Sequence, residues 1–351
     1  MRILHMADVH LGAEPDKDKP WGAGRGKLQW DAFGQAIRAA EEQRADLVLI
    51  AGDLFHRQPL KKELKEVNYI LSGLSHTKVV IMAGNHDYLS KNSFYRNFPW
   101  NENIYFLKSE QMEALHFPEL GATVYGFSYE HREIREKRYC NLKKQGPGYH
   151  ILLAHGGDDM HVPVNAGELM NMDFDYIAMG HIHKPQQLLE NRIVMAGALK
   201  PLDHNDTGPH GYWVVELKKD TSNAIFYPIR GCEYTRVEVE LDGTNTNRHL
   251  HRMVQERVEE LAPYQLARVV LTGIYDPELP PEEETLREIQ KVVAVEKLCK
   301  PNYNFQKLKQ EYAQQLLGRF IKELEAMPQD EVTRKAMYLG VDALMGNSDV
   351  Y

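Results

Sequence analysis

The strongest constraint on how this chain can fold is a rhythm of short apolar runs. They occupy residues 2–6, 47–51, 78–82, 104–107, 123–127, 150–154, 176–179, 193–196 and 212–217. Apolar runs this short read as strands, and longer helical patterns fall between them at 30–43 and 60–72. Such alternation predicts an α/β layered domain. From Gly231 the texture changes: CEYTRVEVEL, DGTN, RHLHRMVQERVEEL and ARVVLTGI read as strand, turn, helix and strand. The acidic, proline-rich ELPPEEET then marks a boundary, and the chain reads as helical beyond it. The expected organisation is a catalytic domain over 1–228, an α+β capping domain over 229–277 and a helical region over 278–351.

Composition narrows the class. The chain has 351 residues and a net charge of −8, which argues against nucleic-acid binding as a property of the whole surface but leaves local patches open. No run of about 18 apolar residues exists, so no membrane span is expected. The opening MRILHMADVH has no signal-peptide pattern. Cys140, Cys232 and Cys299 lack metal or disulfide spacing, which suggests a reducing, cytoplasmic setting and structural roles.

The ends of the apolar runs carry the chemistry. RILHMA leads into Asp8-Val9-His10, and LVLIAG into Asp53 with His56 three residues on. KVVIMAG leads into Asn85-His86-Asp87, HILLA into His155-Gly156, and YIAMG into His181-Ile182-His183. Loops at the carboxyl ends of strands gather on one edge of an α/β sheet, where sites form. Asp8 with His10, and His181 with His183, are i, i+2 pairs that face one way in an extended chain. A lone histidine after a strand is more often structural. Five strand ends in order, offering carboxylate, amide and imidazole without cysteine, instead point to a pair of divalent ions such as manganese, iron or zinc. A shared carboxylate such as Asp53 can bridge two ions about 3.5–4 Å apart.

The stretches HMADVHLG, ADLVLIAGDLFH, MAGNHD and MGHIHKPQ resemble the calcineurin-like metallophosphoesterases. Within them the chain is most similar to the nuclease subunit that pairs with a coiled-coil ATPase in DNA double-strand-break repair. His10 and His56 are the features that tilt toward that branch. The resemblance covers roughly residues 1–217. It implies a layered β-sandwich flanked by helices and two ions, manganese first, with iron and zinc as alternatives. Asp8, His10 and His183 would hold one ion, Asn85, His155 and His181 the other, and Asp53 would bridge them. His86 would protonate the leaving oxygen or steady the phosphate, Asp87 would orient His86, and His56 would lie near the scissile phosphate. A bridging solvent, deprotonated between two cations, would attack phosphorus in line. The family implies 3′-to-5′ exonuclease and structure-dependent endonuclease activities, with DNA as substrate and an ATPase partner held by C-terminal helices.

Two rival functions are weighed. A small-molecule or cyclic-nucleotide phosphodiesterase would use the same metals but needs no cap or tail. A metal-free scaffold would be expected to have lost ligands, and all seven are present. A homodimer is left open. His5, His76, His116 and His150 are expected to be structural, while His161, His204 and His210 are left open between substrate contact and solvated loop. The basic run REIREKRYCNLKK is either a solvated helix face or a phosphate contact. In the loop 12–29, Trp21 and Arg25 are substrate candidates. The tail offers three helices: ETLREIQKVVAVEKLCK, an amphipathic span over 304–327, and EVTRKAMYLGVDALM. Their apolar stripes either pack on each other or leave a docking face.

Overall fold

A computed structural model describes residues 1–139, 142–219 and 221–346; Cys140 lies outside the described residues. In chain order the strands are β1 (Arg2–Met6), β2 (Leu47–Ala51), β3 (Lys78–Met82), β4 (Ile104–Phe106), β5 (Glu113–Phe117), β6 (Ala122–Gly126), β7 (Tyr149–His155) and β8 (Tyr176–Gly180). They continue as β9 (Gln186–Leu189), β10 (Ile193–Met195), β11 (Gly211–Lys218), β12 (Thr221–Pro228), β13 (Glu233–Asp242), β14 (Gln265–Tyr275), β15 (Val292–Lys297) and β16 (Lys300–Pro301). The helices are α1 (Arg25–Glu42), α2 (Lys61–Ser72), α3 (Ala166–Met170), α4 (Asn247–Glu259), α5 (Glu283–Arg287), α6 (Phe305–Glu311), α7 (Leu316–Glu325) and α8 (Glu331–Leu344).

The chain divides into two compact units. The first comprises Met1–Arg236 with Leu261–Arg268, the second Val237–Glu260 with the chain from Val269 onward. The first unit holds two six-stranded mixed sheets, ordered β12-β11-β1-β2-β3-β4 and β5-β6-β7-β8-β10-β9. Strands β1 to β4 run parallel, as do β6, β7, β8 and β10. Sequence alternation decides which layer each residue enters. In LVLIA of β2, Leu47, Leu49 and Ala51 join Ile151, Leu153 and Ala178 of the other sheet in the sandwich interior. Val48 and Ile50 instead pack against Phe33 and Ala36 of α1 and Leu64 and Val67 of α2. Burying each such valine, leucine, isoleucine or phenylalanine contributes roughly 1.5–3 kcal/mol. The resulting α/β layered sandwich is the expected fold class, and its parallel strands end side by side.

The second unit contains most of the β13-β14-β15 sheet, with β16 pairing β14 in parallel at Ile274–Lys300 and Tyr275–Pro301. The helical expectation for ETLREIQKVVAVEKLCK is corrected here. Only Glu283–Arg287 is helical, and VVAVEK forms β15 because its β-branched residues extend a sheet edge. The span 304–327 is two helices rather than one, broken after Glu311, and Gly318 in the first turn of α7 packs too close to the Tyr312 carbonyl to admit a Cβ. Their stripes meet: Tyr303, Leu317, Ile321, Met337 and Val341 form a buried cluster with Phe305, Leu308 and Phe320 against it. Leu316 and Val332 remain exposed. No described helix is long and apolar enough to cross a membrane.

Candidate metal centre

The five strand exits converge in the first unit. Backbone bonds tie the exits of β1 and β2 together, from Asp8 N to Gly52 O at 3.1 Å and from His10 N to Asp53 O at 3.0 Å. Asp8, His10, Asp53 and His181 all have left-handed backbone, with φ of 48°, 50°, 50° and 100°. For residues with a Cβ this costs roughly 1–3 kcal/mol each, a strain that clusters at functional sites. Glycines make room beside them. A Cβ on Gly84 would lie 2.3 Å from Asp53 Oδ1 and 2.8 Å from His155 Nε2, and one on Gly52 would strike the His155 ring at 2.3 Å.

Asp53 sits between two groups of donors. Its Oδ1 accepts the His86 N–H at 2.8 Å, while Oδ2 lies 3.9 Å from His10 Nε2 and 3.5 Å from His155 Nε2. On one side Asp8, His10 and His183 offer ligand atoms within 4.8 Å of one another, with His10 Nε2 3.2 Å from His183 Nε2. On the other, Asn85 Oδ1 lies 2.9 Å from His155 Nε2 and 3.2 Å from His181 Nδ1. Asp8 Oδ2 accepts the His181 N–H at 2.8 Å, and Asp8 Oδ1 is buried without a hydrogen-bond partner. A buried carboxylate oxygen left unpartnered, facing imidazoles, is what a cation would satisfy. The all-oxygen-and-nitrogen donor set fits two divalent ions.

The electrostatics agree. Burial pushes the Asp8 carboxyl up to about 6, against the pull of His155 and His183. Burial also opposes ionisation of Asp53, yet His155, His10 and His86 hold it well below the usual carboxylate range. Burial disfavours charge on His155, but Asp53 raises it to about 9. His10, buried among histidines, is held well below the ordinary imidazole value.

All ten site candidates from the sequence meet here, with one role corrected. Asp87 does not reach His86. Its Oδ1 accepts the Gly84 N–H at 2.8 Å, and its Oδ2 accepts the Phe55 N–H at 3.1 Å and the Tyr95 hydroxyl at 2.8 Å. Neighbours in an extended loop point apart, so Asp87 fastens the loop while His86 Nδ1 donates to the His56 carbonyl at 3.2 Å. His86 also stacks on His56, with ring centroids 5.2 Å apart, and stands edge-on to His10 at 4.8 Å. His56 is exposed at the rim.

Two carboxylates were missed: Asp158, 2.8 Å from His181 Nε2, and Asp206, 3.0 Å from His183 Nδ1. Both occupy histidine-rich loops, HGGDDMH and HNDTGPHG, and that proximity is the only signal the sequence carries. His161 joins Asp158, while His210 is buried with its Nδ1 donating to Gly208 O at 2.9 Å. Arg25 and Trp21 are structural: both bond Asp16, and Arg25 is buried against the Tyr234 hydroxyl. The described part of the basic run is not helical, and Arg135, Lys137, Arg138 and Lys144 are paired with Glu133, Glu168, Glu110 and Asp173.

The fold and this centre define a phosphoesterase of the two-metal type. The calcineurin-like phosphoesterase pattern matches residues 1–185, more than half of the chain, and the chain belongs to that family. Its members are hydrolases that hold a dinuclear metal centre. The chain is similar to an uncharacterized metallophosphoesterase, YhaO, of Bacillus subtilis, at 26% identity over 285 residues, 74% of this chain and 68% of the relative. It is also similar to a DNA double-strand break repair protein, Mre11, of Halobacterium salinarum, at 22% identity over 301 residues, 81% of this chain and 73% of the relative. A third relative, a subunit of the nuclease SbcCD of Staphylococcus saprophyticus, is 23% identical over 269 residues, 66% of this chain and 69% of the relative.

Proposed function

We propose that this chain is a DNA nuclease of double-strand-break repair, hydrolysing phosphodiester bonds at a two-ion centre. The observation that carries the hydrolytic part is the position of Asp53 Oδ2 between two donor groups, beside an unpartnered Asp8 oxygen. The choice of DNA rests on the two relatives whose names give nuclease and break-repair roles. Asp8, His10 and His183 would hold one ion, Asn85, His155 and His181 the other, with Asp53 shared. Bound there, two divalent ions, manganese foremost, polarise a phosphoryl oxygen and make water acidic enough to attack. The chain's own residues do the rest. His86 has its Nδ1–H engaged by the His56 carbonyl, so Nε2 is the nitrogen that takes up a second proton, making the ring an imidazolium, and delivers it to the leaving oxygen. His56, exposed and stacked on His86, positions the scissile phosphate. Asp87 keeps the Asn85–His86 loop in place through its three hydrogen bonds.

One relative is by name a subunit, which supports a partner for this chain too. We assign docking of an ATPase subunit to the tail, where Leu316 and Val332 stay exposed. Cys232 and Cys299 are free thiols, which supports a cytoplasmic setting. The test loads the full chain with manganese and compares DNA ends with a small aryl phosphodiester. Turnover of both, with DNA the better substrate, is expected. Turnover of the small diester alone would make the chain a small-molecule phosphodiesterase, and a chain that binds no metal would be a scaffold. Ending the chain at Asn302, which spares β15 and β16, should preserve metals and small-diester turnover while abolishing ATPase-subunit binding.

A further inference from the structure

His181 and His183 stand two residues apart in one GHIH stretch, yet they offer different ring nitrogens to the centre. A neutral imidazole has one N–H and one lone pair, and only the lone pair can ligate an ion. For His181, Nε2 lies 2.8 Å from Asp158 Oδ2, while Nδ1 lies 3.2 Å from Asn85 Oδ1. For His183 the order is reversed: Nδ1 lies 3.1 and 3.0 Å from the two Asp206 oxygens, while Nε2 lies 3.2 Å from His10 Nε2. An ionised carboxylate only accepts, so in each ring the nitrogen beside it carries the hydrogen.

Both carboxylates are themselves held. Asp158 Oδ1 accepts the backbone N–H of Met160 and of His161, each at 2.8 Å, and the His161 ring also bonds it at 2.9 Å. Asp206 Oδ2 accepts the Leu202 N–H at 2.9 Å. His155, a fully buried histidine of the centre, is set by the backbone instead: its Nδ1 donates to Ala51 O at 2.8 Å, which leaves Nε2 for the site. His181 and His183 thus depend on side chains for what His155 receives from a carbonyl.

We propose that Asp158 and Asp206 are positioning residues that fix opposite tautomers in His181 and His183, turning Nδ1 of the first and Nε2 of the second toward different halves of the centre. The inference rests on the two-ion reading above and adds to it that each ion depends on its own outer carboxylate. Asp158 serves the half containing Asn85 and His155. Asp206 serves the half containing Asp8 and His10.

The experiment uses the full chain with ¹⁵N-labelled histidine, loaded with zinc, which is diamagnetic. Long-range ¹H–¹⁵N spectra report which nitrogen of each ring carries hydrogen. The expected result is Nε2–H for His181 and Nδ1–H for His183. This needs no variant and no turnover, so it stands even if a substitution disturbs folding. Chelator competition then measures zinc affinity site by site. Asp158→Ala and Asp206→Ala should each weaken one site about 10–100-fold and leave the other within about threefold. Asp158→Asn and Asp206→Asn keep an oxygen acceptor and should restore most of the loss. Two bound zinc ions with the same hydrogen-bearing nitrogen on both rings, or unchanged affinities in both alanine variants, would overturn the positioning roles alone. A chain that binds no zinc would overturn the two-ion reading and this inference with it.

Discussion

The two units are built from the same elements and put them to different uses. In the first, β2 is buried along its whole length, and so are β6 and β8. Their ends lie inside the protein, where a carboxylate or imidazole is kept from water. In the second, β13 alternates buried and exposed along most of its length, and α4 carries His249 and His251 on its exposed or half-buried side. Among the described residues, every cluster of ligand atoms close enough to hold an ion lies in the first unit. Histidine content therefore does not make a site. Parallel strands that end together, with both faces covered, do.

The sharpest way to break that contrast is at Asp53. Asp53→Asn removes the charge between the two donor groups. It should lower metal content and cut hydrolysis by about 10⁴-fold or more, equivalent to about 5 kcal/mol of barrier. Full activity at full occupancy, measured by elemental analysis alongside turnover, would remove Asp53 from the centre. Next is His86→Gln, which should keep both ions and most substrate affinity while losing about 10²–10⁴ in rate. Loss of an ion in that variant would make His86 a ligand.

Asp87→Ala tests the corrected role of Asp87 itself. Three buried donors would lose their acceptor, so thermal melting should report about 3 kcal/mol of lost stability. Its rate effect should persist in a His86→Gln background, because Asp87 acts on the loop and not through that ring. Additivity failing completely in the double variant would restore the dyad. The smallest effect belongs to the second unit. Tyr303→Phe removes a buried hydrogen bond to Asp342 and should cost about 1–2 kcal/mol, with metal content and turnover unchanged. A change in metal content would show that the two units are energetically one.

What the sequence made legible follows the same division. The bounds of β2 and β3 could be read to the residue because parallel central strands are uninterrupted apolar runs. In the first unit the strands that escaped notice, β5, β9 and β12, are all sheet edges, and their sequences EALHF, QQLL and TSNAIFYP mix polar residues without a clear period. VVAVEK was masked by the helix-forming residues before it. In the centre, the seven proposed ligands and His56 and His86 stood out because each lies at a strand's end, within a few residues of a small residue there. Asp158 and Asp206 did not, since an aspartate in a polar loop looks like any turn residue until a ring is seen beside it. Adjacency in sequence also misled at Asp87, whose partners come from Gly84, Phe55 and Tyr95 rather than from the residue next to it.

The left-handed backbone at Asp8, His10, Asp53 and His181 bears on how such a chain ages under selection. At these four positions glycine would be the more comfortable residue, and asparagine a better one than histidine. A lineage released from the reaction would drift toward those residues, because drift there relieves strain as it erases the centre. Aspartate and histidine standing at all four positions, against that strain, are what a chain that uses its centre would carry.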